Sequence, residues 1–197
     1  MDEVTAKARS RRQDRAEVIL DAAETLLRRS GTRTLTIDAV AAEAGLSKGG
    51  VLHHYASKDA LVTALAVRKV GRIRAGIAGC LAAAPGGPAA QPLAVIAHAR
   101  EVYAEECGFP DSLLIASADN AGAAAAFSEF LDEQLAAMGA IEARSGQGAA
   151  LTFAVLGLML SRSLDFHRID GDALARLFDA LETQARALPT NAMPTDQ

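Results

Sequence analysis

The residues best equipped for chemistry lie close together in the first third of the chain: Thr36, Ser47, Lys48, Gly49, Gly50, Leu52, His53, His54 and Lys58. Hydroxyls, imidazoles and ammonium groups at these spacings supply hydrogen-bond donors for phosphate oxygens and for the edges of bases. They suit recognition rather than bond-making. The chain has no glycine-rich phosphate loop and no nucleophile elbow, and no carboxylate pair or His–Cys–Asp set stands out. No catalytic residue is assigned.

The elements that must position these groups follow from the same segment. Thr36 suits a helix N-cap, and Ile37, Val40, Ala41 and Ala44 then recur on one apolar stripe. Gly45 suits the left-handed residue that ends this helix, and Leu46 plugs the angle to the next. Ser47 caps a second short helix and Ser57 a third, with Asp59 in its first turn favouring the helix dipole. A glycine turn this short between two capped helices is the arrangement in which the second helix enters a DNA major groove. On a helical wheel, Val51 and Tyr55 face the core. The opposite face is centred on Gly49 and His53 and flanked by Lys48, Gly50, Leu52 and His54. Glycines near a helix start cost roughly 1 kcal/mol each relative to alanine, and they let a backbone approach a surface closely.

The string T-x-x-x-V-A-x-x-A-G-L-S-K-G-G-V-L-H-H-Y-x-S-K-D-A-L, within about Arg11 to Leu65, resembles the N-terminal domain of TetR-family transcriptional repressors. The resemblance implies roles by position. Thr36 and Lys58 match phosphate contacts, and His54 matches the common histidine of a string ending in an aromatic, here Tyr55. Lys48, Gly49, Gly50 and His53 fall where side chains or backbone reach base edges. Two departures stand out: Leu52 occupies a position that is often tyrosine, and Ala56 replaces a frequent proline. Leu52 loses a phosphate hydrogen bond but offers contact with a thymine methyl.

Charge supports a local nucleic-acid contact. The 197 residues carry a net charge of −4. Residues 1–74 hold 14 Lys/Arg against 9 Asp/Glu, and residues 75–197 hold 6 against 15. A basic head on an acidic body is the expected electrostatic footprint. Arg9, Arg11, Arg12 and Arg15 read as a basic arm before the first helix, able to reach an adjacent groove. The basic run Arg68, Lys69, Arg72 and Arg74 reads mostly as a solvated face. Cys80 and Cys107 are the only cysteines; they read as small buried hydrophobes, and the four scattered histidines show no metal-ligand spacing. No metal or other cofactor is expected. The longest apolar run, Ala149 to Leu160, is too short to span a membrane, and the charged N-terminus lacks a signal-peptide pattern, so a cytoplasmic location is expected.

The whole chain reads as all-α, with about nine helices. The expectation is a helix-turn-helix DNA-binding domain over residues 1–60, a helical effector-binding and dimerisation domain over 61–188, and a disordered tail from Pro189. Helices are expected over Ala16–Arg29, from Thr36, from Ser47 and from Ser57 to about Ala84. The break Pro85-Gly86-Gly87-Pro88 is followed by expected helices over Pro92–Glu106, Asp111–Ala118, Ala121–Arg144, Ala149–Phe166 and Asp172–Leu188. The helix from Ala149 is apolar nearly all round, and with the amphipathic last helix it could form half of a four-helix homodimer interface. The family resemblance implies a small-molecule effector in the body. Candidate lining residues are His98, Tyr103, Phe109, Leu113, Ser117, Phe127, Phe130, Met159, Ser163 and Phe166. The expected function is an effector-responsive repressor binding double-stranded operator DNA. The alternative is an architectural DNA-binding protein without effector, which the acidic body disfavours.

Overall fold

The computed structural model describes residues 2–30, 34–104 and 111–189, with side chains from Arg12 onward except at positions 30, 111, 112, 114 and 115. These residues form nine α-helices and no strand beyond one isolated bridge. The helices are α1 (Asp2–Ser30), α2 (Ile37–Glu43), α3 (Lys48–His54), α4 (Lys58–Ala83), α5 (Ala90–Ala104), α6 (Asp111–Ala118), α7 (Ala121–Gly139), α8 (Gln147–Ser163) and α9 (Gly171–Ala187). By packing, the chain divides into one compact unit of residues 1–69 with 109–127 and another of 70–108 with 128–197. The first unit therefore takes in more than the expected 1–60: it adds the start of α4, all of α6 and the start of α7.

Several boundaries differ from the sequence expectation. α1 begins at Asp2, so Arg12 and Arg15 lie within this helix rather than on an arm preceding it. Residues 2–15 are mostly good helix formers without an apolar stripe, so they extend the helix while leaving no periodic signal. α5 begins before Pro92, which a first helical turn tolerates because its N–H would be unpaired there anyway. α7 ends at Gly139 rather than near Arg144.

In the first unit, helix starts are set by hydroxyls. Thr36, Ser47 and Ser57 accept from the backbone N–H of Ala39, Gly50 and Ala60, each at 3.1 Å. Gly45 adopts φ 65°, and the N–H groups of Gly45 and Leu46 donate back to the carbonyls of Ala42 (3.3 Å) and Ala41 (2.9 Å). This closes α2 with the glycine-dependent pair of bonds that satisfies its last carbonyls. Ile19, Ala23, Leu26 and Leu27 of α1, Val40 of α2, Val51 of α3, and Leu61 and Leu65 of α4 are buried in one core with Leu113 and Ala123. Each large aliphatic side chain contributes about 1.5–3 kcal/mol by leaving water.

Polar groups fix the register of that core. Arg68 on α4 is nearly buried, with its side chain 9% exposed. Its guanidinium reaches Glu17 (3.1 Å), Asp21 (2.8 Å) and Glu24 (2.8 Å) on successive turns of α1. Burial works against its charge, but hydrogen bonds and attraction from the three carboxylates outweigh it and raise the pKa. Arg68 is thus an interior tie and not part of a solvated face. Buried Asn120 forms a second tie: its Nδ2 donates to Asp59 O (3.0 Å), and its Oδ1 accepts from Thr63 Oγ1 (2.9 Å) and from Ala123 N–H (2.8 Å). The start of α7 is thereby bonded to the first turns of α4.

The second unit packs α5, α8 and α9 with the end of α7. Ile96, Ala99 and Tyr103 meet Met138, Leu151, Val155, Phe178 and Leu181. The Tyr103 hydroxyl donates to Ile169 O (3.0 Å) and accepts from Ile169 N–H (3.1 Å). Glu142 caps α8 by accepting from the N–H groups of Gly146 (3.0 Å) and Gly148 (2.6 Å). Leu188 O accepts from Ala143 N–H (2.7 Å), and Pro189 pairs with Glu142 in the isolated bridge, so Pro189 itself is held. Residues 190–197 lie outside the described residues.

Arg68→Ala removes one cation from three carboxylates, among them Glu24, whose side chain is only 14% exposed. We expect a stability loss of about 3 kcal/mol in urea unfolding followed by helical circular dichroism, with only partial recovery in Arg68→Lys, whose single ammonium cannot fork between carboxylates. A change within about 0.5 kcal/mol, as for an ordinary surface site, would contradict the assignment.

Candidate nucleic-acid interface

α3 buries Val51 completely and presents its opposite face to solvent. Lys48, Gly49, Leu52 and His53 are exposed, while Gly50 and His54 are partly covered. Thr36, Ser47 and Lys58, at the starts of α2, α3 and α4, are exposed as well. The structure therefore places the nine residues singled out in the sequence at the starts of three consecutive helices and along α3, seven of them exposed and Gly50 and His54 partly covered.

Each has a local account. The hydroxyls of Thr36 and Ser47 accept from their own helices, which leaves each proton available to donate to an anion. Lys48 Nζ lies 3.0 Å from Asp38 Oδ2 on α2, and both side chains are well exposed. An exposed pair of this kind contributes about 0–1 kcal/mol and yields readily to a phosphate or a base.

The two glycines differ. A Cβ at Gly50 would sit 3.3 Å from Ser47 Oγ, in the way of the cap, so Gly50 has a reason inside the protein. A Cβ at Gly49 would meet nothing within 4 Å. Nothing in the first unit requires glycine there.

His53 and His54 make an edge-to-face ring contact with centroids 5.5 Å apart. The extended α1 passes beside them: Arg12, Gln13 and Ala16 line an open groove with His54 and Tyr55. Partial burial, then the positive charge of His53, Arg12 and Arg15, lowers the His54 pKa. Its imidazole is therefore held neutral near pH 7 in a cationic setting that an anion would relieve. Burial followed by Glu17 pushes the Tyr55 phenol up, and its hydroxyl lies 3.5 Å from Ala16 O, too long for a strong bond. Gln13 was not singled out in the sequence, and Arg12 was placed on an arm. Only the continuation of α1 puts them next to His54.

The residues expected to line an effector site are shared between the units. Leu113 and Ser117 are buried in the first, where Ser117 Oγ donates to Leu113 O (2.7 Å) within α6, and Phe127 packs on the same core. In the second, the Tyr103 hydroxyl is spent on Ile169, and Met159 packs against the core. Phe130 has the Arg74 guanidinium 6.0 Å from its ring centre, and Ser163 is partly covered. His98 sits on α5 over Gly76 of α4. Phe166 is 78% exposed, a surface position rather than a cavity wall. Phe109 lies outside the described residues.

Comparison with known proteins agrees with this geometry. Residues 19–65 match the family profile "Bacterial regulatory proteins, tetR family", and residues 93–186 match "Tetracyclin repressor-like, C-terminal domain". No curated protein matches the chain. Among solved structures, the multidrug binding protein EbrR complexed with imidazole superposes with a TM-score of 0.67 at 24% identity, over 91% of this chain and 93% of its own. The reduced form of Escherichia coli NemR gives 0.68 at 18%, over 91% and 100%. A TetR-family member from Streptomyces coelicolor A3 gives 0.67 at 23%, over 89% and 98%. Among the described residues, no helix is long and apolar enough to cross a membrane. With both family profiles matched and the helix-turn-helix built as its residues imply, the chain belongs to the TetR family of transcriptional regulators, which are DNA-binding proteins rather than enzymes.

Proposed function

We propose that the protein is a homodimeric, sequence-specific repressor that a small-molecule effector releases from its operator. The observation that carries this reading is the exposed face of α3, where Gly49 has no role inside the protein and is flanked by Lys48, Leu52 and His53. Lys48, Gly49, Gly50 and His53 reach base edges, and Leu52 contacts a thymine methyl. Thr36, Ser47, His54 and Lys58 bind phosphates and fix the angle of α3 in the groove.

Dimerisation through α8 and α9 fits the surface that α8 leaves open. Its buried side carries Leu151, Val155 and Leu158, and its other side exposes Phe153, Ala154 and Gly157. Phe153 is 52% exposed. A phenylalanine beside two small residues permits close helix approach by a second copy. Two-fold symmetry then places two α3 helices about 34 Å apart on one face of the duplex.

Release requires the effector to bias two states of α4, the helix that belongs to both units. Asn120 couples α7 to α4 at Asp59 and Thr63, next to Lys58. A shift of α7 would thus be felt at the phosphate contact. EbrR is described as a multidrug binding protein, which supports a small-molecule effector for this chain as well. The few polar groups among the candidate lining favour an apolar or amphipathic one.

Selection of bound duplexes from a random-sequence pool tests the reading directly. The full-length chain should enrich a near-palindrome with half-sites about one helical turn apart. His53→Ala should flatten preference at one or two base pairs by roughly 1–3 kcal/mol. A pool that stays random, or an equal loss on specific and random DNA, contradicts it.

His54 gives a pH dependence of definite sign. Its pKa is lowered in the free protein by burial and by His53, Arg12 and Arg15, and a phosphate opposite it raises that pKa. DNA binding then takes up a proton, so operator affinity rises several-fold as pH falls from about 7.5 to 6 at fixed ionic strength. Stability moves the other way. The unfolded chain protonates His54 first as pH falls through its ordinary value of 6.5, so this contribution to folding is present above that pH and lost below it. Fluorescence anisotropy of parent and His54→Gln decides: an unchanged pH slope in the variant removes His54 from the phosphate contacts.

A further inference from the structure

Chemistry-bearing groups outside the DNA-facing surface converge at one place in the second unit. Cys80 lies on α4, and His98 and Glu101 lie three residues apart on one face of α5. One ligand atom from each falls within 4.8 Å of the other two. Cys80 Sγ is 3.6 Å from Glu101 Oε2, and His98 Nδ1 is 3.9 Å from the same oxygen. A tetrahedral ion with bonds of about 2.0–2.3 Å holds its ligand atoms roughly 3.3–3.8 Å apart. Two edges of the triangle are therefore already near the spacing that coordination needs.

We propose that Cys80, His98 and Glu101 form a binding site for a divalent transition-metal ion of borderline softness, with zinc the best match. The donor set of one sulfur, one nitrogen and one oxygen is the first support, since it suits zinc or cobalt and not magnesium or calcium.

Gly76 is the second. It lies one helical turn before Cys80, and an added Cβ there would overlap the His98 ring. Glycine within a helix costs about 1 kcal/mol relative to alanine. Here its absent side chain makes the seat that brings the imidazole onto α4 beside the thiol.

Access and charge are the third. The Glu101 side chain is 68% exposed and that of His98 16%, so an ion enters past the carboxylate. On binding, the Cys80 thiol releases one proton to solvent and forms the sulfur–metal bond. Thiolate and carboxylate then balance the two positive charges, with neutral His98 as third donor. Three protein ligands leave the fourth position to water. Sequence spacing hides the site, because Cys80 and the His98–Glu101 pair belong to different helices.

The test is independent of DNA binding. The full-length chain, stripped with a chelator, is titrated anaerobically with cobalt(II) and followed by its near-ultraviolet thiolate-to-cobalt charge-transfer band. The proposal expects one cobalt per chain, displaced by zinc. The band should be absent in Cys80→Ser and retained in Cys107→Ser. His98→Ala and Gly76→Ala should each weaken binding about tenfold or more. Should Gly76→Ala fail to fold by circular dichroism, Glu101→Gln reads the same site from a solvent-exposed position. No band, a band that survives Cys80→Ser, or parent-like affinity in the folded ligand variants overturns the site.

Discussion

A guanidinium taken out of water has to be met by carboxylates, and in the first unit that requirement sets the register of two helices. Arg68 meets Glu17, Asp21 and Glu24, which occupy successive turns of one face of α1. Sliding α1 by one turn along α4 would leave a buried charge without its full set of partners, at a cost of several kcal/mol. The same register places Arg12 and Gln13 beside His54. It also presents Ile19, Ala23, Leu26 and Leu27 to the core that receives Val40 of α2 and Val51 of α3. The angle at which α3 is offered to solvent thus depends in part on an ion-pair cluster between α1 and α4 that makes no contact with DNA in the reading proposed here.

Local chemistry was legible in the sequence because its causes are local. Thr36, Ser47 and Ser57 each cap a helix with an N–H three residues on, and Gly45 needs only its own φ. The burial of Val51 opposite an exposed Gly49 follows from helical spacing alone. What was not legible depends on partners distant in sequence. Arg68 sits in a basic run with Lys69, Arg72 and Arg74 and looks like them until α1 is placed against it. The extension of α1 to Asp2 carries no apolar stripe to announce it. Tyr103 and Ser117 were candidate lining residues for an effector, and each donates its hydroxyl to a backbone carbonyl. The seat of His98 on Gly76 joins two helices across the Pro85–Pro88 break.

The arrangement also separates two meanings of glycine in one motif. Gly50 is explained by the Ser47 cap, since a side chain there would crowd the hydroxyl. A Cβ at Gly49 would meet nothing within 4 Å, and in the reading proposed here the cost of this glycine to α3 is offset by close approach to DNA. With Lys48 on a weak exposed ion pair, and with partial burial and then positive neighbours lowering the His54 pKa, the proposed reading has an anionic partner approach this surface to backbone distance.

Gly49→Ala tests that claim most directly, because protein stability and DNA affinity should move in opposite directions. Unfolding in urea should show stability unchanged or raised by up to about 1 kcal/mol, as expected for alanine replacing glycine in a helix. Affinity for the selected operator should fall about tenfold or more, a loss of roughly 1.4 kcal/mol, as a methyl group holds the backbone away from the groove. Parent-like affinity in a stably folded Gly49→Ala protein would contradict the account, since α3 would then not approach DNA through this face.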